Sequence, residues 1–205
     1  GIIAIHNSVL GPALGGTRLW HYTSEEEAIK DVLRLSRGMS FKSSISGIHL
    51  GGGKAVIIDN PKARKDEAYW RSYGKFVDNL GGKYITAEDV GTNTEFIEYI
   101  SLETKHVAGK PHYLGGGGDP SPVTAYGVYL GMKAAQKQLS GSDSLMGKKI
   151  AVQGVGHVGQ YLIDHLAKEG AEIIISDINE ANIKAILSKH QVRVVAVNTI
   201  YGEDM

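Results

Sequence analysis

Cysteine is absent from the 205-residue chain, which excludes a disulfide framework, a thiolate nucleophile and any zinc site built on sulfur. Net charge is absent as well. Twenty-two lysines and arginines balance 22 acidic residues, so no basic face for nucleic acid is implied. No apolar run approaches the ~18 residues that a bilayer span needs, so no membrane segment is expected. Internal repeats and charge blocks are also missing, and the one low-complexity stretch is Gly115-Gly-Gly-Gly118. What is plentiful is glycine: 27 residues, roughly twice the usual share. The glycines cluster, which suggests loops that bring backbone close to a ligand. Hydrophobic residues make up 42%, enough for a real core, and the length suits one large domain or two of about 100 residues. The apolar opening Gly1-Ile-Ile-Ala-Ile-His6 reads as mid-strand, and the ending at Tyr201–Met205 is equally abrupt, so the chain is expected to be part of a longer one.

The fold class predicted from the pattern is α/β in two domains, 1–120 and 121–205. In the first, Thr23 and Ser24 precede Glu25, Glu26 and Glu27, a helix start; Ala28, Val32 and Leu35 continue it, and Gly38 should stop it. Residues 45–58 read as extended structure broken by Gly51-Gly-Gly53. Tyr69, Tyr73, Phe76 and Leu80 form one face of a second helix, followed by a strand over 83–86 and a helix over 94–100. In the second, Ser121 can cap a helix with Pro122 in its first turn. Strands over 148–153, 172–176 and 192–197, with helices between them, imply a parallel sheet.

Between the first two of these strands lies Gly154-Val-Gly-His-Val-Gly159, a G-x-G-x-x-G sequence opening a helix. Its glycines would serve a tight turn, close approach of a pyrophosphate and close helix–strand packing, with the helix N-terminus attracting the phosphates. Asp177 closes the next strand about 18 residues beyond Gly159, where a carboxylate binds the ribose hydroxyls of NAD and repels a 2′-phosphate. Ser176 offers no cation to a phosphate, so NAD is expected over NADP. The blander alternative is a tight turn with no ligand. His157 reads as a solvent-facing loop residue without a chemical role of its own.

Gly51-Gly-Gly-Lys54 is not a phosphate loop. That pattern needs glycine at position 48 and serine or threonine at 55, where Ile48 and Ala55 stand. Lys54 lies among apolar residues, and burial there would lower its pKa and suit it to general-base work; a snorkelling surface lysine is the alternative. Lys42 precedes it in the block Gly38-Met-Ser-Phe-Lys42, and Asp89 follows a short strand in Ile85-Thr-Ala-Glu-Asp89-Val-Gly91. The residues alone leave open whether Lys42 pairs with a surface acid and whether Asp89 caps the helix near residue 94.

These blocks, together with Gly11-Pro-Ala-Leu-Gly-Gly-Thr-Arg18, resemble the amino-acid dehydrogenases acting on glutamate, leucine, phenylalanine and valine. The resemblance covers nearly the whole chain, in order, and is strongest to the branch acting on leucine. It implies NAD-dependent oxidative deamination of an aliphatic L-amino acid (leucine, also valine or isoleucine) to its 2-oxo acid and ammonia. Other substrates of the family remain alternatives, and so does a non-catalytic NAD-binding sensor. By resemblance, Lys54 and Asp89 are catalytic, Lys42 binds the substrate carboxylate, and Leu14, Gly15 and Ala87 line the substrate site. Thr124 and the loop residues Gly154, Val155, Gly156, His157, Val158 and Gly159, with Asp177, would bind the cofactor. No metal is called for. Gly115–Gly118 would act as a hinge. Family chains extend further at both ends, and the cofactor domain is incomplete here. Homo-oligomerisation through the N-terminal domain, commonly to an octamer, and a cytoplasmic location are also expected.

Overall fold

A computed structural model describes residues 1–202; the last three residues of the abrupt C-terminal stretch lie outside the described residues. The chain divides into two compact units, Gly1–Asp119 and the remainder from Pro120. No helix among the described residues is long and apolar enough to cross a membrane.

The first unit runs β1 (Ile2–Asn7), β2 (Ala13–Trp20), α1 (Glu25–Ile45), β3 (Gly51–Ile58), α2 (Glu67–Asp78), β4 (Tyr84–Glu88) and α3 (Thr94–Ser101). Its sheet has the order β1-β3-β2-β4, with β1 antiparallel to β3 and the other neighbours parallel. Successive strand residues face opposite sides. On one side Val56 packs with Tyr22, Ala28 and Val32, placing α1 there. On the other, Ala55 and Ile57 join Trp70, Tyr73, Val77, Ile97 and Ile100 from α2 and α3.

Helix α1 starts as its sequence predicts: the Ser24 hydroxyl accepts from the Glu27 N–H, and the Glu27 carboxylate accepts from the Thr23 N–H and hydroxyl. It does not stop at Gly38. The helix continues to Ile45 because Ala28, Val32, Ser36 and Ser43 bury one face, while Gly38 sits on the exposed side. Packing of that face outweighs the ~1 kcal/mol that a glycine costs in a helix. Extended structure therefore begins at Gly51, not at residue 45.

The glycines of β3 serve protein packing, which corrects their expected role in approaching a ligand. A Cβ on Gly52 would lie 2.2 Å from the Ser40 backbone nitrogen of α1, and one on Gly53 would lie 2.8 Å from the Tyr84 ring. The four glycines near the end of this unit are tied back on themselves: Gly115, Gly116 and Gly118 donate to the carbonyls of His112, Pro111 and Lys110.

The second unit contains α4 (Ser121–Ser140), β5 (Lys149–Gln153), α5 (His157–Glu169), β6 (Glu172–Ser176), α6 (Glu180–Leu187) and β7 (Arg193–Val194). β5, β6 and β7 form a parallel sheet in that order. The last strand is shorter than predicted because the chain turns where Thr199 donates to the Ala196 carbonyl. Pro120, not Ser121, occupies the cap position of α4. The core joins Val152, Ile173 and Ile175 of the sheet to Ile163 and Leu166 of α5 and Ile186 of α6. Glu169 ends α5 and receives hydrogen bonds from Tyr129 and Lys133 of α4 and from the Leu145 N–H.

Candidate active site

Alternation along β3 puts Gly52, Lys54 and Val56 on the α1 side of the sheet. A lysine held in the middle of a strand whose neighbours are all buried cannot keep its amine in bulk water, and the Lys54 side chain is only 6% exposed. Its Nζ lies 2.7 Å from Oδ1 of Asp89. The other carboxylate oxygen, Oδ2, accepts from Nε of Arg18 at 2.9 Å. Lys54 is thus not a snorkelling surface residue. Nor does Asp89 cap a helix, because the α3 cap is Asn93, whose side chain accepts from the Phe96 N–H.

Asp89 is delivered to this place by the turn that follows β4. Gly16 pairs with Ala87 and Thr17 with Glu88, so the next residue arrives beside Arg18. The Asp89 N–H donates to the Thr92 hydroxyl, and Leu19 donates to the Val90 carbonyl. Gly91 makes the fold-back possible: its φ is +80°, and a Cβ there would meet the Leu19 carbonyl oxygen at 2.1 Å. A Cβ on Gly16 would press on the Glu88 carbonyl and on the Asp89 side chain at 2.9 Å.

The electrostatics follow from burial and pairing. Burial lowers the Lys54 pKa, and the attraction of Asp89 opposes that shift without cancelling it. Burial alone would raise the Asp89 pKa, but Lys54 and Arg18 together hold it below the usual carboxylate range. The result is a buried amine and carboxylate in direct contact, equipped to pass one proton between them and a bound group.

Other site residues predicted from the sequence fall less uniformly. Leu14 and Ala87 are half-buried, and strand alternation and pairing place both on the face that carries Gly16. Gly15 faces the opposite side, where a Cβ would collide with the Gly53 carbonyl and where its own carbonyl accepts from the Tyr84 hydroxyl. Lys42 lies in the last turn of α1, exposed, and forms no ion pair among the described residues. The structure therefore brings Lys54 and Asp89 together but does not join Lys42 to them, and it does not pair Lys42 with a surface acid.

In the second unit the residues of the glycine loop take three different tasks. Gly154 has φ +89°, and a Cβ on Gly156 would meet nothing within 4 Å. A Cβ on Gly159 would lie 2.3 Å from the Gly154 carbonyl oxygen, so this third glycine lets α5 pack close to the loop. Val155 is buried in the core and Val158 packs partly against it. His157 is exposed, but it opens α5 and does not sit in a loop. Gly156 caps that helix with no side-chain hydrogen bond. Asp177 accepts from the Val155 N–H and the Asn179 N–H, both at 2.7 Å. Those bonds hold its pKa below the ordinary value although burial works the other way. A cavity of about 250 Å³ is lined by Gly154, Ser176, Asp177 and Ile178, among others. The Ser176 hydroxyl is buried with no hydrogen-bond partner. Open space at Gly156, an uncapped helix start and a fixed carboxylate at a cavity fit the phosphates and ribose of a dinucleotide. Thr124 is exposed in the first turn of α4. No cluster of three or more His, Asp or Glu side chains suited to a metal ion occurs among the described residues.

Residues 1–106 match the family description "Glu/Leu/Phe/Val dehydrogenase, dimerisation domain", and residues 115–191 match "Glutamate/Leucine/Phenylalanine/Valine dehydrogenase". The chain belongs to the Glu/Leu/Phe/Val dehydrogenase family. It is similar to the leucine dehydrogenase of Geobacillus stearothermophilus, with 53% identity over 98% of this chain and 55% of that protein. It is also similar to the valine dehydrogenase of Streptomyces virginiae, with 47% identity over 92% of this chain and 53% of that protein. Among solved structures it resembles L-tryptophan dehydrogenase from Nostoc punctiforme, with a TM-score of 0.71, 42% identity, and coverage of 98% of this chain and 57% of that one. The chain spans about half the length of the curated relatives it matches.

Within this member of the Glu/Leu/Phe/Val dehydrogenase family, sequence reasoning missed Arg18 as a site residue. It ends the glycine-rich Gly11–Arg18 block, but nothing in its spacing distinguishes it from a surface arginine. Only parallel pairing of β2 with both β3 and β4 places it beside Asp89.

Proposed function

We propose that the protein containing this chain catalyses NAD-dependent oxidative deamination of an aliphatic L-amino acid, leucine foremost, with valine and isoleucine also accepted. The products are the 2-oxo acid and ammonia. The observation that carries the reading is the buried Lys54–Asp89 contact at 2.7 Å, in a chain 53% identical to a leucine dehydrogenase.

The residues divide the work as follows. Lys42 binds the substrate carboxylate and so orients the α-carbon, which lowers the barrier by positioning. Asp89, kept ionised by its two cations, accepts a proton from the substrate ammonium and frees the amine lone pair. A bound nicotinamide dinucleotide supplies the hydride acceptor. Lys54, with its lowered pKa, deprotonates the water that displaces ammonia and steadies the charge that develops there. Leu14 and Ala87 present apolar surface to the substrate side chain; neither position carries the cation that a glutamate side chain would need.

The cofactor is held by the Gly154–Gly159 loop, with Thr124 contributing from α4. The Asp177 carboxylate favours the ribose hydroxyls of NAD over a 2′-phosphate. The first unit mediates homo-oligomer formation, with an octamer expected, and the enzyme works in the cytoplasm. The test is reduction of NAD and of NADP by the full-length protein with a panel of amino acids. Leucine, valine and isoleucine should lead, with NAD strongly preferred. Activity confined to glutamate or phenylalanine, or none with any amino acid, would overturn the assignment.

A further inference from the structure

Arg18 stands between two carboxylates. Its Nε meets Asp89 Oδ2 at 2.9 Å, and its Nη1 meets Asp31 Oδ2 of α1 at 3.0 Å. The Tyr22 hydroxyl donates to the same Asp31 oxygen at 2.7 Å. The guanidinium is thus fixed from behind, and its planar fork is divided between an acid of the site and an acid of the helix covering the sheet. Lysine has no such fork and would serve both acids poorly. In front, Asp89 has one oxygen committed to Arg18 and the other to Lys54.

We propose that Arg18 is a positioning residue for Asp89: it clamps Oδ2 so that Oδ1 is the oxygen presented to Lys54 and to the substrate amine. The inference rests on the proposed amino-acid dehydrogenase activity, which gives Asp89 its proton-accepting part. The charged groups facing Asp89 are Lys54 from β3 and Arg18 from β2, while Asp31 and Tyr22 stand behind Arg18. These two cations and two carboxylates balance. Removing Arg18 leaves Asp89 Oδ2 without its clamp and, among the described residues, Lys54 as the one cation against Asp89. Asp31 is then no longer neutralised, and these changes favour the protonated form of Asp89.

The experiment compares Arg18→Gln, Arg18→Lys and Asp31→Asn in the full-length protein. Two readouts are taken: kcat and KM for amino-acid oxidation across pH, and the carboxyl 13C titration of Asp89, assigned by its loss in Asp89→Asn. Arg18→Gln should lower kcat about 10-fold or more with KM changed by less than about 3-fold. It should also raise the Asp89 titration and the acid limb of kcat/KM by about one pH unit. Arg18→Lys should restore the titration but only part of kcat, and Asp31→Asn should lower kcat by a smaller factor. An unshifted Asp89 titration in Arg18→Gln overturns the proposal. If Arg18→Gln fails to fold, parent-like kcat in both remaining variants overturns it, and lowered kcat at an unchanged melting temperature supports it. A parent that oxidises no amino acid, with the Asp89 titration still shifted in Arg18→Gln, sinks the dehydrogenase reading and leaves the clamp standing.

Discussion

Gly51, Gly52 and Gly53 in one unit and Gly154 and Gly156 in the other both sit in glycine-rich blocks and do opposite things in space. In β3 the room that a side chain would take is already filled by α1, β1 and the Tyr84 ring. In the loop after β5, the room at Gly154 and Gly156 is empty. One unit uses glycine to bring its own backbones together, and the side chains of Lys54, Asp89 and Arg18 meet beside them. The other leaves open space at Gly154 and Gly156, while the Gly154 and Val155 N–H groups are tied to the Ser176 carbonyl and the Asp177 carboxylate. A glycine cluster therefore signals close approach without saying of what.

The contrast can be tested by substitution. Lys54→Ala in the full-length enzyme should cost about 10²- to 10⁴-fold in kcat, the usual worth of a general acid–base group, while NAD affinity persists. Leucine oxidation within a few-fold of the parent would remove the lysine from the chemistry. Gly52→Ala and Gly156→Ala address the glycines directly. The first forces a methyl group onto the Ser40 backbone and should destabilise by about 3 kcal/mol or more, seen in denaturant unfolding. The second should leave stability within about 1 kcal/mol of the parent, and NAD titration should show weakened binding because the methyl occupies the phosphate approach. Equal stability losses in the two variants would erase the distinction.

A smaller effect belongs to acid stability. Hydrogen bonds from Lys133, Tyr129 and the Leu145 N–H hold the Glu169 pKa at about 2, against an ordinary 4.5. A carboxylate whose folded pKa is depressed contributes stability that is complete above the unfolded value and fades as pH falls towards the folded one. Glu169→Gln should therefore melt below the parent at neutral pH, with the gap closing between about pH 4.5 and pH 2. A gap independent of pH would mean that packing, not charge, is lost. Smallest of all, Gly38→Ala should raise stability by about 0.5–1 kcal/mol, because the added methyl meets nothing and the helix passes through that residue. A loss in thermal melting would contradict the exposed mid-helix placement.

Much of the architecture was legible because it is local. Ser24 followed by three glutamates marks a helix start in any context. The spacing of Tyr69, Tyr73, Phe76 and Leu80 located α2 but only part of its inner face, which buries Trp70, Tyr73, Gly74 and Val77 and leaves Phe76 exposed. The G-x-G-x-x-G loop and Asp177 are equally local, since strand, turn and helix follow one another in the chain. Gly38 misled because propensity is a weak force beside a buried helix face. The residues alone leave open whether Lys42 works with Lys54. The two stand in successive elements, the last turn of α1 and β3, and no ion pair joins Lys42 to the Lys54–Asp89 pair among the described residues.

The sequence alone determined the α/β alternation and the two glycine-rich blocks, since each depends on residue type and short-range spacing. Lys54 and Asp89, by contrast, are named as a candidate catalytic pair through the family resemblance. The tertiary structure decided which side chains meet. Asp89 reaches Lys54 and Arg18 only because β2 lies between β3 and β4 in the sheet, and no strand order can be read from separations along the chain. It also decided whether each glycine faces protein or open space, because that depends on what the rest of the fold brings against it.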